Sequence, residues 1–117
     1  GHFRRDGYQA ALTAQEWRPR PTALICYNDL LAIGVYRGLR EQGWKVPDDI
    51  ALVGFDGIED GEFLEVPLTT VAVPISEMSQ TAVQFLINRL EGRAAEQQQL
   101  TLVPQLVVRR SCGAQGS

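Results

Sequence analysis

The feature that most constrains this chain is a unit that occurs twice: a short apolar run closed by polar residues, with a helix-patterned stretch after the first. The run TALICY at 22–27 ends on Asn28 and Asp29, and the run IALVGF at 50–55 ends on Asp56. Continuous apolar runs bounded by breakers have the pattern of strands buried on both faces. Strands alternating with helices specify an α/β layer fold, a Rossmann-like and largely parallel sheet flanked by helices.

The remaining elements fall around this frame. Residues 6–16 read as a helix with Tyr8, Ala11 and Leu12 on one side, broken by the prolines of WRPRP at 17–21. Asp29 is placed to cap a helix reaching about Gln42, with Gly43 as its stop. Leu31, Gly34, Val35 and Gly38 form one stripe of that helix. Its two glycines would let it lie close against a sheet, at a propensity cost of about 1 kcal/mol each. Leu30, Ile33 and Tyr36 point elsewhere and form a second apolar patch. Residues 46–49 make a turn, and 57–67 a loop with room for one helical turn. A third strand is expected over 69–73 and a helix over 76–90, with Met78, Ala82, Phe85, Leu86 and Leu90 on one face. A loop at 93–99 and a final strand over 102–108 complete the order.

Bulk properties exclude several functions. The 117 residues suffice for one domain, and 44% hydrophobic with 21% charged residues is ordinary globular composition. A net charge of −3 leaves no basic surface for displacing counterions from phosphates. Arg4–Arg5 and Arg109–Arg110 are only pairs, and solvated termini account for them. No apolar run is long enough to span a membrane, and no secretory signal opens the chain. Cys26 lies in an apolar run and Cys112 in a C-terminal tail, a pair that forms neither a metal pattern nor a disulfide framework. A reduced, cytoplasmic setting follows as the expectation.

Open parallel sheets bind ligands outside the carboxyl ends of their strands. Asn28, Asp29 and Asp56 sit at such ends. An amide and two carboxylates can hold sugar hydroxyls or the N–H groups of a base. Each also has a purely structural reading: Asp29 as a helix cap, Asn28 as the closure of a turn, Asp56-Gly57 as a turn dipeptide. No catalytic set is expected, because His2 is isolated near the terminus and Ser111 and Cys112 lie in the tail without a base. No cofactor or metal is expected either: there is no phosphate loop, and Glu59, Asp60, Glu62 and Glu65 follow no EF-hand order. The chain is read as a non-enzyme.

The blocks PTALICYNDLLAIG (21–34), GWKVPDDIALVGFD (43–56), PLTTV (67–71) and LVVRRS (106–111) occur in an order and spacing that resembles the effector-binding domain of the LacI/GalR family of bacterial transcription regulators. That resemblance covers nearly the whole chain. It implies a periplasmic-binding-protein-like fold of type I, with two α/β subdomains around a ligand cleft. Residues 1–117 would supply the C-terminal part of that domain. The helix at 76–91 would pack with the N-terminal subdomain, and the DNA-reading helix-turn-helix would lie outside this chain. The resemblance implies that Phe3 stacks on a sugar or nucleobase-like effector, and that Asn28 or Asp29, with Asp56, lines the cleft. His2 stands where the family often has an acidic residue, and Gly57 where it often has Asp or Asn. The arginine by which family members hold the effector has no counterpart here. The family also pairs through this subdomain, which implies a homodimer with Ile33, Tyr36 and Arg37 of one copy facing Phe63 and Leu64 of the other. A periplasmic sugar-binding protein of a transporter is the alternative, suggested by GFDG at 54–57.

Overall fold

A computed structural model describes residues 2–93 and 97–114. The chain divides into two compact units, residues 1–72 with 105–117, and residues 73–104.

In the first unit the order is helix α1 (Phe3–Ala11), strand β1 (Ala23–Ile25), helix α2 (Asp29–Glu41), strand β2 (Ala51–Val53), strand β3 (Thr70–Ala72) and strand β4 (Gln105–Val107). β1 and β2 run parallel with Ala23 opposite Ala51 and Ile25 opposite Val53. Single parallel bridges, Val53 to Thr69 and Asp56 to Ala72, carry the pairing on to β3. β4 lies antiparallel to β3, so the last pairing departs from the expected parallel order.

The core forms where α2 meets β2. Ala32 and Leu39 from the helix, Leu52 from the strand, and the flanking Ile50 and Leu68 are fully buried. β1 does not follow its sequence pattern. Ile25 and Tyr27 are 84% and 80% exposed, so its run is apolar on two faces but covered on one. Sequence alone cannot say which faces a chain's own elements will cover.

α1 begins three residues earlier than expected, and residues 14–16 form a separate 3-10 turn rather than its last turn. The glycine stripe of α2 also has a different partner from the one its spacing suggested. A Cβ on Gly38 would lie 2.6 Å from the Ala11 Cβ, and one on Gly34 would collide with the Arg4 carbonyl. The stripe therefore admits α1, a helix, and not the sheet. Ala32, Val35 and Leu39 make the core contact instead.

The C-terminal segment is no tail. Ser111 is fully buried. Its Oγ accepts from the Thr69 N–H at 2.8 Å and donates to the Leu52 carbonyl, while its own carbonyl accepts from the Leu52 N–H at 2.8 Å. Arg109 is not a solvated terminal charge either: its guanidinium donates to the Leu68 carbonyl at 3.0 Å.

The second unit carries helix α3 (Ile75–Leu90), which has no buried residue. Gln98 folds back on it, donating to the Phe85 carbonyl at 2.8 Å and accepting from Asn88 at 3.1 Å. Among the described residues no helix is long and apolar enough to cross a membrane.

Candidate functional site

The carboxyl ends of β1 and β2 meet at one rim. The Cys26 N–H donates to the Val53 carbonyl at 2.8 Å, and the Asp29 N–H to the Phe55 carbonyl at 2.8 Å. These bonds carry the parallel pairing past the strand ends and set residues 26–29 beside 53–56.

Asn28, not Asp29, caps α2. Its backbone is extended, and its Oδ1 accepts from the Leu31 N–H at 2.8 Å. That satisfies one of the orphan donors of the first turn. The correction has a simple cause: the side chain that caps must precede the helix, and the helix starts at Asp29 itself.

Asp29 has another task. It is fully buried, and both its oxygens are occupied. Oδ2 accepts from the Gly57 and Ile58 N–H groups, each at 2.9 Å, and Oδ1 accepts from the Thr70 hydroxyl at 2.7 Å. A buried carboxylate is tolerable only with such a set of donors, and the N-terminal end of α2 adds favourable dipole. Asp29 was expected at the ligand groove; its side chain instead lies beneath the rim and ties the loop after β2 to β3. Burial of the Cys26 thiol raises it to about 11, and the charge of the Asp29 carboxylate adds to the rise.

Asp56 stands on the loop that Asp29 holds. It is half-buried, and its φ of 120° is the positive value that side chains rarely adopt. Among the described residues its carboxylate has no hydrogen-bond partner, whereas its N–H donates to the Val71 carbonyl at 2.9 Å. Gly57 follows at φ 80°, and a Cβ there would lie 2.7 Å from the Ala72 Cα. The Asp or Asn common at this position in the resembled family would not fit this close approach.

Phe3 opens α1 and is 40% exposed. Its ring stacks near that of Tyr27, with centroids 6.3 Å apart and 21° between planes. Tyr27 was not singled out from sequence. Its signal was present in the alternation of Ala23, Ile25 and Tyr27 along one face of β1 and the residues that continue it, but a run read as buried on both faces hid it.

The five residues expected at a dimer seam gather in one place. Ile33, Tyr36 and Arg37 of α2 line an open groove of about 570 Å³ together with Phe63 and Leu64 from the loop after Asp56. Arg40 and Glu65 form an ion pair of 2.6 Å beside it. Among the described residues no group of three or more His, Cys, Asp or Glu side chains could hold a metal ion.

Parallel strands, a helix springing from their carboxyl ends and polar groups at that rim define an α/β ligand-binding module. Residues 2–112 match the family model described as a periplasmic binding protein-like domain. The chain belongs to that family, and its relatives place it with the effector-binding domains of LacI-type regulators. The HTH-type transcriptional repressor MelR of Bacillus subtilis is 44% identical over 109 residues, covering 93% of this chain and 31% of that protein. A LacI family regulator from Enterococcus faecium with bound ribose superposes with a TM-score of 0.85 at 33% identity, over 92% of this chain and 40% of that one. One from Arthrobacter sp. FB24 in complex with lactose gives 0.82 at 34%, over 93% and 41%. The chain thus spans about a third of the length of the curated repressor it matches.

Proposed function

We propose that this chain is the C-terminal part of the effector-sensing and dimerisation domain of a LacI-type transcription regulator, working in the cytoplasm without catalysis. The observation that carries the reading is the Asp56 carboxylate, held in a strained backbone at the rim with no hydrogen-bond partner among the described residues. The reading adds the Asn28 amide, which has its Oδ1 in the helix cap, and the half-open Phe3 ring. Carboxylate and amide suit hydroxyl groups, and the ring suits the apolar face of a sugar. Ribose and lactose in the two similar structures support a sugar over a base.

In this reading DNA is contacted only through a helix-turn-helix outside this chain. The sugar binds one arrangement of the domain more tightly than another and so shifts operator affinity. The division into units supports assigning residues 76–91 to the N-terminal subdomain. The groove between α2 and Phe63 supports a two-fold pair, because one self-complementary face serves both copies. The test is calorimetry of the intact gene product with sugars, together with operator binding. Sugar binding that weakens or strengthens operator affinity, and is lost in Asp56→Ala, is expected. Sugar binding with unchanged operator affinity would refute the switch.

A further inference from the structure

A second hollow adjoins the seam groove and shares Ile33 and Arg37 with it. It measures about 410 Å³ and lies between α1 and α2. Tyr8, Ile33 and Gly34 give it apolar lining, and Arg4, Arg5 and Arg37 add three positive charges. Arg4 and Arg37 already have partners, Asp60 at 3.6 Å and Glu41 at 3.8 Å. Arg5 is exposed and forms no ion pair among the described residues.

Across the Arg4–Asp60 bridge the charge changes sign. Residues Glu59–Phe63 form a short 3-10 helix. Its three residues per turn put Glu59 with Glu62 on one face and Asp60 with Phe63 on another. The third face carries Gly61, which is buried, and a Cβ there would lie 3.3 Å from the Leu68 side chain. With that face turned inward, the other two are turned out. Glu59 and Glu62 are exposed and form no ion pair among the described residues. Phe63 is 74% exposed, and its apolar area stays in water until another surface covers it.

One copy therefore shows a basic strip with a hollow beside an acidic strip with an apolar knob. A two-fold axis running between the strips lays the basic strip of each copy on the acidic strip of the other. Resting on the dimer reading above, we infer that α1 belongs to the seam. Phe63 of each copy enters the hollow between α1 and α2 of the other, and Glu62 pairs with the partner's Arg5. The apolar contact supplies the hold, and the opposed charges fix which way the copies face, since like strips repel in any other arrangement.

The intact gene product, its Arg5→Glu and Glu62→Arg variants and the double exchange are compared by sedimentation velocity over a dilution series. A single exposed pair is weak, but symmetry makes two of them, and each reversal turns attraction into repulsion. Each single variant is expected to raise the dimer dissociation constant about tenfold, and the double exchange to return it to within about threefold of the wild type. Raising NaCl from about 0.05 M to about 0.5 M weakens the wild type and strengthens the single variants, because screening removes attraction in one and repulsion in the others. Phe63→Ala changes an exposed side chain, so it spares the fold and weakens pairing at least about tenfold. A double exchange as weak as the product of the two singles, or single variants that match the wild type, overturns the inference and leaves the seam reading standing. A wild type that is monomeric throughout overturns both.

Discussion

Asn28 and Asp29 are neighbours in sequence with opposite fates, and the difference is depth. Asn28 needs only the local turn to reach the Leu31 N–H. Asp29 depends on donors 28, 29 and 41 residues away. Asp29→Ala would leave the Gly57 and Ile58 amides and the Thr70 hydroxyl without an acceptor. At about 1–3 kcal/mol for each buried donor stranded, it should be among the most destabilising single changes, beyond about 3 kcal/mol in urea denaturation. Asn28→Ala should cost only about 1 kcal/mol, the usual value of a cap. Equal losses would contradict this division. The two thiols differ as well. Burial raises Cys26 to about 11, whereas a hydrogen bond from the Thr69 hydroxyl lowers Cys112. Since the thiolate reacts, iodoacetamide near pH 8 should label Cys112 well before Cys26, read by mass spectrometry. The raised Cys26 also makes a signed contribution to stability. It is fully present below the unfolded thiol's pKa, and it is lost as pH climbs from there towards 11.

Between elements, the contact of α1 with α2 shows how packing overrules propensity. In a solvated helix, Gly34→Ala would gain about 1 kcal/mol. Here the new methyl would meet the Arg4 carbonyl, and overpacking of that kind costs about 1–3 kcal/mol. A net loss of stability is therefore expected on thermal unfolding, together with displacement of Phe3 and weaker sugar binding. A more stable variant would mean that α1 gives way freely. The C-terminal segment is the second case. Ser111→Ala strands the buried Thr69 N–H and Leu52 carbonyl and should cost about 1–3 kcal/mol. No local pattern signals this, since a short polar segment after a strand resembles any terminus until its partners are known.

At the scale of the whole molecule, the decisive question is how copies associate. Ile33→Asp, which sets a carboxylate in the apolar part of the groove beside Phe63, should convert a dimer to monomers at micromolar concentration in sedimentation velocity. It should leave the circular dichroism spectrum unchanged. A wild type that is monomeric under those conditions would refute the seam. By itself the sequence determined the order of elements, the parallel pairing of the two apolar runs and the strand ends at which Asn28 and Asp56 fall. Periodicity, breakers and strand-to-helix turns act over a few residues and are legible there. Only the tertiary structure decided that Asp29 lies beneath the rim, that Tyr27 stands open beside Phe3, that the glycine stripe receives a helix, and that Ser111 completes the sheet. Each of those depends on residues far apart in the chain meeting at one point, and burial and hydrogen-bond satisfaction exist only once they do.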